Sequence, residues 1–169
     1  MPISRSDRPG DDEEAAGAVA SWMRLADEAI GSAAPADEGL RQTGQKGGSH
    51  ARVLVVEDDA SIRDTVVSAL SDAGISSLGV PDGTAALAEC QRRDPAVILL
   101  DLALPGLDGA RFADAYRRIP GSSARIVVVS GTDRATETAA RIRADAFFSK
   151  PFKLEALISL TERLLRQAA

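Results

Sequence analysis

The sequence predicts an α/β fold in which helices cover both faces of a five-stranded parallel sheet, and three observations lead there. From Arg52 onward, apolar runs of strand length alternate with segments whose apolar residues recur at helical spacing. Three of those runs are apolar throughout, as central strands buried on both faces must be. The order, strand then helix repeated five times, is the one that right-handed crossovers wind into a doubly wound (βα)5 sheet.

The elements follow in chain order. Residues 1–50 carry Gly, Pro, Ser and acidic residues with few large apolar groups, and hold nine acidic and five basic side chains. They read as an acidic extension, with the folded domain over 51–169. Within the extension, Asp11, Asp12, Glu13 and Glu14 form a helix-start signal, because carboxylates accept from free N–H groups at the positive dipole end. Val19, Trp22, Met23, Ala26 and Ile30 then recur at helical spacing, and Gly31 supplies a stop, which predicts an amphipathic helix over 12–30. Gly39, Gly44, Gly47 and Gly48 among polar neighbours make 32–50 a flexible linker.

The strands are expected at Val53 to Val56, Ser76 to Val80, Val97 to Leu100, Ile126 to Val129 and Ala146 to Phe148. Helices are expected around Ile62, Val66 and Leu70, then Ala85 to Cys90, then Phe112, Tyr116 and Ile119, then Ala139 and Ile142, and finally Leu154, Leu157, Ile158 and Leu164. Phe112 and Tyr116, at helical spacing, read as core packing.

In such a sheet, ligands bind beyond the carboxyl ends of the strands. The first strand ends in Glu57-Asp58-Asp59, the third in Asp101, the fourth in Ser130. Carboxylates brought together at one edge repel each other. A hard divalent cation resolves that repulsion, and Mg²⁺, which takes one or two carboxylates with waters and phosphate oxygens, suits the cluster better than calcium. Asp59, directly before a helix, reads as its cap. Lys150-Pro151 follows the fifth strand; of 20 basic residues only Lys46, Lys150 and Lys153 are lysines, and an ammonium here can meet a phosphate as a point charge.

On these residues the chain resembles a response-regulator receiver domain of two-component signalling. The matching stretches are RVLVVEDDASIRD (52–64), VILLDLALPGLDG (97–109), IVVVSGTD (126–133) and ADAFFSKPF (144–152), and the resemblance covers residues 52–168. It implies a flavodoxin-like sheet of strand order 2-1-3-4-5. It implies that Asp101 is the phosphoacceptor, taking a phosphoryl group from a phosphohistidine. Asp58, Asp101 and the backbone carbonyl of Ala103 would hold Mg²⁺, or Mn²⁺ in its place, with Glu57 acting through a bound water. Lys150 would pair with phosphoryl oxygens, Ser130 would turn its hydroxyl toward them, and Phe147 would rotate with Ser130, without the hydroxyl of the tyrosine common at that position. Gly131, Thr132, Pro105 and Pro151 would frame the site. Ala103 and Thr132 offer no charged or amide group to orient an attacking water, so no unusually fast self-hydrolysis is expected.

The same resemblance makes the chain a bacterial phosphoacceptor rather than an enzyme in its own right. Its expected partners are a histidine kinase or a histidine phosphotransfer protein, and a protein target reached through the face of the fourth helix, fifth strand and fifth helix. A homodimer is compatible with it. With few residues after the fifth helix, output is expected through protein contact, and the Trp22/Met23 face of the extension is expected to dock on that switching surface or on another subunit.

Composition excludes other classes. Cys90 is the single cysteine, so internal disulfides and C-x-x-C sites are ruled out, as suits a reducing cytoplasm. Neither a signal core nor a run of about 20 apolar residues is present, so no membrane role is expected. A net charge of −5 gives no broad attraction to nucleic acid. A haloacid-dehalogenase-like phosphatase would need a carboxylate two residues past its nucleophile, where Ala103 stands. The G-x-x-x-x-G-K-[ST] loop of nucleotide hydrolases is missing. The remaining rival is a receiver fold whose contacts work without phosphorylation. His50 is given no catalytic role.

Overall fold

The computed structural model describes residues 52–168. The expected helix over 12–30, the linker over 32–50, the domain boundary near His50 and the docking of the Trp22/Met23 face lie outside the described residues.

Ten elements alternate along the chain: β1 (Val53–Val56), α1 (Ala60–Asp72), β2 (Ser77–Val80), α2 (Gly83–Arg92), β3 (Val97–Leu100), α3 (Gly109–Tyr116), β4 (Arg125–Ser130), α4 (Ala135–Arg141), β5 (Ala146–Ser149) and α5 (Leu154–Gln167). The strands form one parallel sheet in the order β2-β1-β3-β4-β5. The reversal of winding between β1 and β3 opens a crevice at their carboxyl ends, where such sheets bind ligands.

The period-two alternation of the strands divides the core in two. Leu54, Val56, Ile98, Leu100, Ile126 and Val128 face α2, α3 and α4, packing on Phe112, Tyr116 and Ala139. Val53, Val55, Val97, Leu99, Val127 and Val129 face α1 and α5, packing on Val66, Leu70, Leu157 and Leu160. Full burial of each such Val, Leu or Ile stabilises by about 1.5–3 kcal/mol, so β1 and β3, buried at every position, are anchored from both sides. Cys90 is buried in the first layer. Tyr116 and Phe112 are core residues, as their spacing predicts, with ring centroids 6.1 Å apart.

Two helices stop earlier than their apolar periodicity predicts. Ile119 lies beyond α3, which ends at Tyr116; the chain turns through Pro120 and Gly121, whose φ of +82° suits glycine. Ile142 is the C-cap of α4, not a member of it, because Arg143 at φ +53° reverses the chain and lets the Ala144 N–H return to the Ala139 carbonyl at 2.9 Å. Strand ends shift by a residue: β2 starts at Ser77, β4 runs from Arg125 to Ser130, and β5 reaches Ser149.

Candidate functional site

The sheet register brings the functional side chains to one edge. Val56 lies beside Leu100, and Leu100 beside Val128, so the residues that follow share the carboxyl edge. The Asp101 N–H donates to the Val56 carbonyl at 3.0 Å, fixing the two acidic loops against each other. Carboxylate oxygens of Glu57, Asp58 and Asp101 lie within 4.8 Å of one another. Glu57 and Asp101 are each only 5% exposed, whereas Asp58 faces solvent.

Lys150 closes this cluster. Its Nζ donates to Glu57 Oε2 at 2.7 Å and to Asp101 Oδ2 at 2.8 Å. The peptide bond between Lys150 and Pro151 is cis. Burial works to lower the Lys150 pKa, but hydrogen bonds and charge contacts with Asp101 and Glu57 outweigh it and hold the ammonium above its ordinary value. Burial raises the Glu57 carboxyl above the usual carboxylate range, opposed by the Lys150 hydrogen bond and reinforced by the charge of Asp101. One ammonium thus faces three carboxylates. The excess negative charge, the hard oxygen donors and their spacing fit a Mg²⁺ ion.

Local structure holds each member in place. Asp59 is the N-cap of α1, accepting from the Ser61 and Ile62 N–H groups at 2.8 and 3.1 Å, which leaves Glu57 and Asp58 for the site. The Asp101 Oδ1 accepts from the Ala103 N–H at 3.0 Å, so the carboxylate is fixed at both oxygens. Gly109 lets the next helix begin against this loop: a Cβ there would collide with the Asp101 carbonyl oxygen. Ser130, at the end of β4, is fully buried, and its hydroxyl has no hydrogen-bond partner among the described residues. Phe147 is half-buried against the α4 side of the core. Ala103, Pro105, Gly131, Thr132 and Pro151 are exposed around the rim.

Arg63 is a site residue that sequence reasoning missed. From α1 its Nη1 donates to the Glu57 carbonyl at 2.9 Å and to the Asp58 carbonyl at 3.3 Å, tying down the backbone of the acidic loop. Its stem lies over Gly79 of β2, where a Cβ would come 2.8 Å from Arg63 Cγ. The available signal was a glycine inside a strand pattern, which often marks a close approach.

The strand order, the helices on both faces and an acidic site at the switch point define a flavodoxin-like α/β domain. The chain belongs to the response regulator receiver domain family, whose model matches residues 53–162. Among curated relatives, the sensory transduction protein RegX3 of Mycolicibacterium smegmatis is 33% identical over 119 residues, 69% of this chain and 51% of its own length. The nitrogen assimilation regulatory protein NtrX of Azorhizobium caulinodans is 35% identical over 117 residues, 67% of this chain and 26% of its own. The chain therefore spans about half or less of the length of these relatives. Among solved structures, the chemotaxis protein CheY4 of Vibrio cholerae is similar with a TM-score of 0.60 and 29% identity, covering 66% of this chain and 96% of that one. The Francisella response regulator 1452 receiver domain, at 24% identity and a TM-score of 0.64 over 69% and 98% of the two chains, shares the fold. Among the described residues, no helix is long and apolar enough to cross a membrane.

Proposed function

We propose that this chain is a Mg²⁺-dependent phosphoacceptor that takes a phosphoryl group from a phosphohistidine onto Asp101 and signals through protein contacts. The observation that carries the reading is the grip of Lys150 on Asp101 and Glu57 beside Asp58, at the mouth of the sheet's switch point. An Asp101 carboxylate oxygen attacks phosphorus; the phosphorus–nitrogen bond of the donor breaks, and the imidazole leaves with the electron pair. The product is an acyl phosphate.

Most of the work is positioning and charge neutralisation around a loose transition state. Asp58, Asp101 and the Ala103 carbonyl would hold the Mg²⁺ ion, with Glu57 contributing through a water. When bound, the ion supplies positive charge to phosphoryl oxygens. Formation of the acyl phosphate, a mixed anhydride, removes the carboxylate charge of Asp101, which frees Lys150 to pair with a phosphoryl oxygen while retaining Glu57. A buried hydroxyl without a partner costs about 1–3 kcal/mol, and a phosphoryl oxygen offers Ser130 the missing acceptor. Movement of Ser130 toward it leaves room for Phe147 to turn inward, and the α4, β5 and α5 face changes shape. A histidine kinase or phosphotransfer protein is the donor, and a protein target reads the changed face. The chain is not otherwise an enzyme.

The test is mass spectrometry after incubation with acetyl phosphate and Mg²⁺. One phosphoryl mass is expected on the wild type, none on Asp101→Asn, and none in EDTA. A wild type that gains no mass under these conditions would make the protein a phosphorylation-independent binding module.

A further inference from the structure

A second constellation lies at the amino edge of the sheet, away from the acidic site. A cleft of about 370 Å³ is lined there by Arg117, Ser122, Ser123, Arg125, Arg143 and Asp145. Asp145 compensates one guanidinium, binding Arg125 Nη1 at 2.9 Å while its second oxygen accepts from the Ile126 N–H. Arg117 donates only to the carbonyls of Ile142 and Arg143, which hold its plane without cancelling its charge. Asp94, behind Ser123, is already occupied: Tyr116 Oη donates to one oxygen, and the Ser123 N–H and hydroxyl donate to the other. No carboxylate pairs with Arg117 or Arg143 among the described residues.

Arg143 adds a backbone argument. It is the one non-glycine residue with positive φ among the described residues, at +53°, a conformation glycine adopts without steric cost. A side chain therefore stands where the backbone alone would favour none, and Arg143 lines the cleft. Arg117 and Arg143 thus line an open cleft with no carboxylate partner among the described residues, a fit for a pair of carboxylates.

The chain itself carries such carboxylates upstream of β1. The Ala96 N–H donates to the Arg52 carbonyl and the Arg125 N–H to the Ala96 carbonyl, so the chain enters β1 two strand spacings, roughly 10 Å, from the cleft. Upstream of Arg52, residues 1–50 hold nine acidic against five basic groups, with Asp11, Asp12, Glu13 and Glu14 in one run. The 37 residues between Glu14 and Arg52 amount to a coil span of roughly 30 Å, ample for the distance. We propose that the acidic run at residues 11–14 docks into this arginine cleft of the same molecule, engaging Arg117 and Arg143.

The test compares backbone amide spectra of the full chain with those of a variant carrying Asp11→Asn, Asp12→Asn, Glu13→Gln and Glu14→Gln. Docking predicts shift changes at residues 117, 122–125 and 143 that do not depend on protein concentration and disappear in high salt. Changes confined to the neighbourhood of the substituted residues would overturn it. Changes at the cleft that fade on dilution would assign the run to a second copy and overturn docking within one molecule. Arg143→Gly guards against a folding artefact, since its backbone fits that position and its Tm should hold or rise. It should erase the tail-dependent shifts; a folded Arg143→Gly chain that keeps them would also overturn the proposal.

Discussion

Lys150 is held by two carboxylates at once, so its removal leaves Glu57 and Asp101 buried beside each other without a counter-charge. Lys150→Ala is expected to lower stability by about 2 kcal/mol in EDTA, less than a fully buried pair would because the lysine side chain is 21% exposed. Mg²⁺ should restore more stability to the variant than it adds to the wild type, because the ion relieves the same repulsion. Urea unfolding with and without the metal reads both, and an equal Mg²⁺ increment in the two proteins would remove the link between lysine and metal. Arg63 works one step further out, on the loop backbone instead of the carboxylates. Arg63→Ala should weaken Mg²⁺ binding, measured by calorimetry, by about tenfold, the lower end of the losses seen when groups behind a metal's ligands are removed. Gly79→Ala should do the same by displacing the Arg63 stem. Unchanged metal affinity in both would reduce Arg63 to a helix-surface residue. These two residues show why part of the site was illegible in sequence. Asp101, Asp58 and Lys150 stand at strand ends in a pattern that names their chemistry. Arg63 acts on the backbone of the Glu57-Asp58 loop while its stem crosses Gly79 of β2, contacts that no spacing rule encodes.

Element by element, the helices differ in how they are held at their starts. Asp59, Asp82 and Asp108 cap α1, α2 and α3, each accepting a backbone N–H in the first turn. The seven-residue α4 has Arg134 at its N-cap position with no side-chain bond, and α5 has Lys153 there without one but presents a long apolar face to the sheet. Short length and open N–H groups make α4 the weakest helix. Its amides are expected to exchange with solvent faster than those of α1 and α5 in the unphosphorylated protein; protection in α4 equal to that in α5 would contradict this ranking. Asp108→Ala, by contrast, should cost about 1 kcal/mol in urea unfolding, since it removes the 2.9 Å bond to the Arg111 N–H. Sequence made the existence and order of all ten elements plain, because apolar runs and helical periodicity are strong signals for elements this well buried. It overran α3 and α4, whose apolar pattern continues through Ile119 and Ile142 after the helical hydrogen bonding has stopped. Both isoleucines are still used, one partly and one fully buried, so the periodicity was reporting burial and not backbone conformation.

On the scale of the whole molecule, the raised pKa values of Cys90, Tyr116 and Lys150 act together at the alkaline end of the pH range, while that of Glu57 acts in the acid range. Burial pushes the Cys90 thiol from 9.0 up to about 12, reinforced by the charges of Asp94 and Glu89. Burial also raises the Tyr116 phenol, which donates to Asp94 at 2.6 Å and accepts from the Ala124 N–H at 2.7 Å. Lys150 is raised as well, by the carboxylates that outweigh its burial. In each case the folded state keeps a proton that the unfolded chain releases at lower pH. The stability that these three protons contribute is therefore whole below about pH 9, the ordinary range of a free thiol, and falls as pH rises toward the folded pKa values. From pH 9.0 upward the Cys90 proton alone should cost stability, with Tyr116 joining above 10.0 and Lys150 above 10.5. Urea midpoints at about pH 8, 10 and 11 should decline with increasing steepness, and Cys90→Ala, although less stable at about pH 8, should decline less steeply over the first interval. Tyr116→Phe should flatten the second interval while losing about 1–3 kcal/mol at neutral pH, because the Ala124 N–H and Asp94 lose a buried partner. A wild-type midpoint that stays level from about pH 8 to pH 11 would mean that these protons are released equally in the folded and unfolded chains, and that the layer between α2, α3 and β4 opens to solvent before the sheet unfolds.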